Sequence, residues 1–434
     1  LSELSRDFGL PEDPEVKNRV QDAIYKVLNY QSSSGSFGLW SPGFGDLWLD
    51  AYVTDFLTRA REKDYDVPLK ATLQALSNLQ NSVSYDVDLQ GRGGEIAYAL
   101  YVLARNHKAS VGDLRYYADT QIEAFTSPMA VAHLAASLAL YGDSQRSERT
   151  FSAALTLAQS TTEVDYYRSD YGSKLRDGAA MLALAAESNP MPSVVPAMVK
   201  YVAAERAKVR WTSTQDEAWM LLAARALTAA NSSLQLEVDG AAHSGAYSAR
   251  VSGEELSAKP ITVVNKGKDP LEAVVTASAI PSQPLPAGGE GFTIKRTYYR
   301  LDGSEANVSE ARQNERYVVV LKVVSLNDWG ARILVNDLLP AGFEIDNPGL
   351  VSSAQLSGFT WLPQTDAAHL EFRDDRFVAA FNRDQGAGSD LTVAYVVRAV
   401  TPGVYVHPAA SVEDMYRPEF SARTATGMME VRAN

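Results

Sequence analysis

Asn231-Ser232-Ser233-Leu234-Gln235-Leu236-Glu237-Val238 is where the chain changes grammar. Up to Ala230, apolar residues recur at helical spacing. From Leu234 onward they alternate with polar ones at a period of two, as on a half-buried strand. A chain of 434 residues with this break reads as multidomain α + β, helices first and strands after.

On the helical side, Val20, Ile24, Val27 and Leu28 share one face, and Trp48, Tyr52, Phe56 and Ala60 another, with Asp46 placed as a cap. Ile96–Ala104 is apolar all round, so it belongs inside, and Val131–Leu140 is similar. Further helices begin at Asp177 and Glu217. These segments recur about every 40 residues, or twice that, which is the signature of stacked helical hairpins. An all-apolar inner helix alternating with an amphipathic outer one predicts an α/α toroid, with an open solenoid as the alternative.

On the strand side, period-two or β-branched runs lie at Ala246–Val251, Ile261–Val264, Ala273–Ala277, Phe292–Tyr299, Tyr317–Val324, Ala331–Asp337, Arg376–Phe381 and Leu391–Ala399. Lys266-Gly267, Asp302-Gly303 and Pro402-Gly403 supply turns, so antiparallel sandwiches are expected. The Pro- and Gly-rich stretch from Ile280 to Gly289 splits this half into about 50 and about 150 residues. The smaller piece is short for a self-sufficient sandwich.

Composition removes many chemistries. Net charge is -13 with no basic stripe, which disfavours nucleic acid and anionic lipid. There is no cysteine, hence no disulfide, thiolate metal site or cysteine nucleophile. His107, His133, His243, His369 and His407 have no metal-ligand spacing, so neither a metal nor a cofactor is expected. His133 reads as a core or pocket histidine. Gly91-Arg92-Gly93-Gly94 follows no strand and reads as a helix-entry turn, not a phosphate loop. Asp46 with Asp50, and Asp216 with Glu217, open helices and read as caps and dipole partners, although two carboxylates would also suffice for glycoside hydrolysis. Asp374-Asp375-Arg376 reads as a solvated turn. Phe37, Trp40, Phe44, Trp48, Tyr166, Tyr167 and Tyr171 either plug the toroid or form a sugar-stacking platform, and their place just before the helices favours plugging. No apolar run is long enough to span a bilayer. The opening Leu1-Ser2-Glu3 is not a signal peptide and lacks an initiator Met, so the chain is expected to be a piece of a longer one.

Gln31–Trp40 followed by Asp46-Leu47-Trp48-Leu49-Asp50-Ala51-Tyr52-Val53 resembles the thioester-domain helices of α2-macroglobulins. Ser213-Thr214-Gln215-Asp216-Glu217-Ala218-Trp219 is similar to the last toroid repeat of that family. Tyr166–Ser173 and Val412-Glu413-Asp414-Met415-Tyr416-Arg417-Pro418-Glu419 look like its enterobacterial-type branch. The resemblance covers essentially the whole chain. It implies an α/α-toroid thioester-type domain over 1–231, the C-terminal part of a CUB-like β domain over 232–286, and a terminal macroglobulin-type β-sandwich over 287–434.

The function this resemblance implies is a protease trap, not an enzyme. A bait segment is cleaved, the molecule rearranges, and an internal Cys–Gln thioester opens to nucleophiles on the attacking protease. With no cysteine here, the reactive pair is expected upstream of Leu1. No histidine stands around Tyr85–Gly94, where some relatives direct the thioester to hydroxyls, so amines are the expected targets. Met415 and Tyr416 match a motif that shields the thioester as a lid; the alternative is that Met415 merely fills its own sandwich. The resemblance further implies proteases as partners, a neighbouring role in cell-wall synthesis, and a periplasmic parent held at the inner membrane by an N-terminal lipid. The competing reading is a secreted polysaccharide lyase or glycosidase built as toroid plus β-sandwich.

Overall fold

The computed structural model describes residues 13–43, 45–84, 89–160, 168, 170–231, 234–245, 247–268, 271, 275, 277–346, 359, 362 and 365–433. Its helices are α1 (Val16–Leu28), α2 (Leu47–Glu62), α3 (Leu69–Ser84), α4 (Leu89–Arg105), α5 (Val111–Thr120), α6 (Pro128–Leu140), α7 (Ser144–Ser160), α8 (Lys174–Glu187), α9 (Val195–Lys208), α10 (Thr214–Asn231) and the short α11 (Gly253–Ala258). Two compact units result. One holds the helices and a small sheet. The other is Ala277–Asn434 together with Arg168, Asp170, Tyr171 and Arg210–Thr214.

In the helical unit, α2, α4, α6 and α8 pack one against the next, while α3, α5, α7 and α9 lie against the outside of this row. The alternation follows from composition. Every residue from Ile96 to Ala104 in α4 is buried, and so is nearly all of α6, whereas α7 buries only one stripe. Ile24 of α1 joins Phe37, Leu57, Ala60, Val67 and Ala75 in a local core, with Val20, Val27 and Leu28 around it. Asp46 caps α2 as expected, accepting from the Leu49 N–H at 2.6 Å. The Gly91–Gly94 stretch departs from expectation: it lies within the first turns of α4, not before the helix. The reason is a close approach, since a Cβ on Gly93 would stand 2.3 Å from the Ala124 carbonyl oxygen.

The strands β1 (Gln235–Val238), β2 (Ala241–Ser244) and β3 (Val263–Asn265) form a small antiparallel sheet in the order β2-β1-β3. The strand expected at Ala246–Val251 is absent from residues 247–251, and the pairing falls instead on Ala241–Ser244. Asp239 and Gly240 both take positive φ, 51° and 86°, the two-residue turn that fits a hairpin's twist. Of the run at Ala273–Ala277, only Val275 and Ala277 are among the described residues, and neither is in a strand.

The terminal unit contains β4 (Gly288–Glu290), β5 (Phe292–Arg300), β6 (Glu310–Arg312), β7 (Arg316–Ser325), β8 (Ala331–Leu338), β9 (Phe343–Ile345), β10 (His369–Phe372), β11 (Arg376–Arg383), β12 (Asp390–Ala399), β13 (Gly403–His407), β14 (Ala410–Asp414), β15 (Arg417–Arg423) and β16 (Gly427–Arg432). Its main sheets run β10-β11-β8-β14-β15-β4 and β5-β7-β12-β9, with a small sheet β13-β16-β6. Alternate residues fill the core: Val319, Leu321 and Val323 from β7, Ile333 and Val335 from β8, Val412 from β14. The opposite face of β7 and β12 buries Val318, Val320 and Val396 against Phe359, which explains why these strands read as nearly continuous apolar runs.

Candidate functional site

Two constellations stand out. The first lies where the inner helices of the helical unit converge. Tyr98 of α4 stacks on His133 of α6 with centroids 4.1 Å apart, and Tyr101 and Trp219 flank the same ring at 5.2 and 6.1 Å. Beside them Arg59 of α2 donates to Asp55 Oδ1 at 3.0 Å, to Glu187 Oε1 of α8 at 2.9 Å and to the Tyr101 hydroxyl at 3.1 Å. The Tyr98 hydroxyl donates to Asp55 Oδ2 at 3.1 Å. Arg105 links the Tyr101 hydroxyl at 2.7 Å to Glu62 Oε2 at 2.6 Å.

This axis is built to fill space. Burial pushes the His133 imidazole well below its usual pKa, and the nearby Arg176 and Arg59 add to the effect, so it is neutral. Burial likewise pushes the Tyr98 phenol well above its usual value. Both His133 ring nitrogens lack a hydrogen-bond partner among the described residues. A proton shuttle needs exchange with substrate or solvent, and a histidine 1% exposed between aromatic rings has neither.

The carboxylates singled out in the sequence fare similarly. Asp50 is not simply a dipole partner. It is buried, accepting from the Phe37 N–H at 2.7 Å, the Ser36 hydroxyl at 3.0 Å and Asn78 Nδ2 at 2.7 Å, so it pins the loop before α2. Burial raises its carboxyl above the usual range despite these donors. Asp216 is buried and accepts from the Ser173 hydroxyl; Glu217 is exposed. Asp375 pairs with Arg376 at the surface, as a solvated turn should. Of the aromatic residues, Phe37, Trp48 and Tyr171 are buried, Trp40 is half-buried, and Phe44, Tyr166 and Tyr167 lie outside the described residues. The buried ones act as filling.

The second constellation is the β14–β15 hairpin tip, which carries Met415 and Tyr416. The hairpin pairs Ser411 with Arg423 through Glu413 with Ser421, then shifts register at Glu413–Asp414, leaving Met415 and Tyr416 as a two-residue turn. Both are half-buried. The Met415 N–H donates to the Arg332 carbonyl at 2.9 Å, and the Tyr416 N–H donates to Asp414 Oδ1 at 3.2 Å. Within the same unit, Tyr171 lies against Tyr416 with centroids 4.7 Å apart and is itself covered by the Arg332 guanidinium at 5.8 Å. Tyr171 takes φ 56°, a left-handed conformation that a bulky residue adopts only when its surroundings hold it there.

Arg417 lies directly behind the tip. Its Nε donates to Asp414 Oδ2 at 2.8 Å, its Nη2 donates to the Gly330 carbonyl at 2.6 Å, and its plane lies 5.0 Å from the Trp329 ring and 5.6 Å from Phe420. Phe420 rests on Gly291, where an added Cβ would come within 2.7 Å of its ring. Sequence reading picked out Met415 and Tyr416 but passed over Asp414, Arg417 and Trp329. The Asp-x-x-Arg spacing across a turn was the one signal that they cooperate.

Comparison with known proteins bears on both units. The A-macroglobulin TED domain model matches residues 11–114, and the Bacterial Alpha-2-macroglobulin MG10 domain model matches residues 291–419. The Escherichia coli K12 alpha-2-macroglobulin is 33% identical over 96% of this chain, which covers 26% of that protein. This chain belongs to the bacterial α2-macroglobulin family. The Xylella fastidiosa Temecula1 alpha-2-macroglobulin is 29% identical over 95% of this chain and 27% of its own length. Among solved structures, Salmonella alpha-2-macroglobulin reacted with methylamine superposes with a TM-score of 0.83 at 29% identity, over 99% of this chain and 29% of that one. A native Escherichia coli alpha-2-macroglobulin structure running from domain MG7 to the C-terminus gives 0.80 at 28% identity, over 99% of this chain and 70% of that one. The chain thus spans about a quarter of the length of the curated relatives it matches and corresponds to the C-terminal portion of the family. A helical thioester-type domain followed by antiparallel sheet domains is the family architecture.

Proposed function

We propose that this chain is the helical domain and lid of a protease trap whose reactive thioester lies in the remainder of the parent protein. What carries the reading is the pair of family models, helical and MG10, in order along one chain, with a relative 33% identical across 96% of it. On this reading the part played here is not enzymatic. The helical domain supplies a rigid, dry frame, and the Met415–Tyr416 tip covers the thioester until bait cleavage moves it. An apolar, adaptable methionine suits a plug that must exclude water and amines. Residues 232–286 are then the C-terminal part of a CUB-like domain completed by the parent. The parent acts on proteases in the periplasm, held to the inner membrane by an N-terminal lipid, with a link to cell-wall synthesis. These last points rest on the family resemblance, and membrane fractionation of the parent tests the placement.

The chemistry consumes the reagent once. An amine nitrogen attacks the thioester carbonyl carbon, a C–N bond forms, the C–S bond breaks, and the departing thiolate takes up the proton shed by the amine. One amide and one thiol result. The lid is tested by Met415→Asp in the parent: methylamine should then release thiol without bait cleavage, at least about tenfold faster than in the wild type. Reactivity equal to the wild type would remove the lid.

The lyase or glycosidase reading loses its footing in the axis, where the buried Asp55 and the more exposed Glu187 are both tied up by Arg59. A carboxylate neutralised by a guanidinium is a poor general acid or base for a glycosidic oxygen.

A further inference from the structure

We infer that Arg417, clamped between Asp414 and the Gly330 carbonyl, is the positioning residue that holds the Met415–Tyr416 tip in its covering pose. The inference rests on the lid reading above and adds what keeps the lid shut.

A two-residue turn following a register shift has little to stiffen it from within, since beyond Glu413 with Ser421 the shifted ladder adds only the pair Asp414 with Arg417. Beside the Met415 N–H bond to the Arg332 carbonyl and the Tyr171–Tyr416 contact, the stiffness comes from one buried carboxylate. Asp414 is 2% exposed and holds both sides of the tip, accepting the Tyr416 N–H with Oδ1 and the Arg417 fork with Oδ2. Arg417 carries the restraint into the body of the sandwich through Gly330 and by stacking on Trp329. Gly330 directly precedes β8, the strand beside β14, so the tip is tied to the sheet core and not merely to its own hairpin. A planar, five-donor guanidinium satisfies the carboxylate, the carbonyl and the ring together, whereas an ammonium ion satisfies only one or two of them. Removing either charge of such a pair leaves the other buried and unpaired, which favours rearrangement of the tip.

The test uses the full-length parent and measures the rate of methylamine-triggered thiol release at 25 °C alongside the melting temperature. Arg417→Met should speed thiol release by about tenfold or more, and Arg417→Lys by clearly less, because one contact to Asp414 survives. Tyr395→Phe serves as the stability control. It removes the hydroxyl that donates to Asp337, which pairs with Ala410 at the far end of the same β14 strand. That variant should lower the melting temperature and leave thiol release at the wild-type rate. Equal acceleration by Tyr395→Phe and Arg417→Met, or none by Arg417→Met while Met415→Asp accelerates, overturns the brace and leaves the lid standing. No acceleration by Met415→Asp overturns the lid itself and the brace with it.

Discussion

His407 and the Tyr298 hydroxyl lie 2.8 Å apart in the terminal sandwich, and burial, aided by the nearby Arg296 charge, pushes the histidine down to about 4. The unfolded chain therefore binds more protons than the folded one between that value and the ordinary one of about 6.5. This stabilising contribution is fully present above pH 6.5 and is lost as pH falls towards 4, amounting to up to about 3 kcal/mol. Denaturant melts of this chain at pH 7 and 4.5 should show the loss in the sandwich, and His407→Gln should flatten it. An unchanged pH slope in the variant would assign the acid sensitivity elsewhere. His133 works in the same direction in the helical unit. Its core placement was legible because it sits in an unbroken apolar run. The role of Asp50 was not, because its partners Ser36, Phe37 and Asn78 come from a returning loop and another helix.

At the scale of elements, periodicity told helix from strand where a long face was buried, as in α2, α4, α6, β7 and β12. It failed where pairing, not patterning, makes the strand. β2 reads Ala-Ala-His-Ser, and the informative signal was the Asp239-Gly240 turn before it. The strands β13 to β16 were likewise passed over. β13 leaves Val404 and Val406 exposed, and β15 has a single fully buried residue, so neither shows a simple one-face pattern. Gly93 shows a different limit, because the need for it comes from a carbonyl 31 residues away in sequence. Gly93→Ala should cost about 1–3 kcal/mol in the helical unit by pushing α4 off Ala124; a neutral melting temperature would contradict that close approach. In the sandwich, the buried Arg296 guanidinium binds Asp337 and the Pro408 carbonyl, while the Tyr395 hydroxyl donates to Asp337 at 2.8 Å. Asp337→Asn leaves Arg296 charged and unpaired, and should destabilise the sandwich by about 3–5 kcal/mol in denaturant melts. A loss under about 1 kcal/mol would show that the pair is not sustained in solution.

At the scale of the whole molecule, composition excluded more than it identified. The absence of cysteine ruled out thiol chemistry among these 434 residues. The helical unit has an axis filled by aromatic side chains and the terminal unit an anchored hairpin tip, which on the proposed reading serve as frame and cover. On the proposed reading the Met415–Tyr416 tip protects a thioester in the parent protein. The most direct measurement is to treat the natively purified parent with methylamine, before and after limited proteolysis, and to record intact mass and free thiol. Addition of one methylamine with the appearance of one thiol is expected, slow in the intact protein and fast once the bait is cut. A parent that gains neither mass nor thiol in either state contradicts that reading.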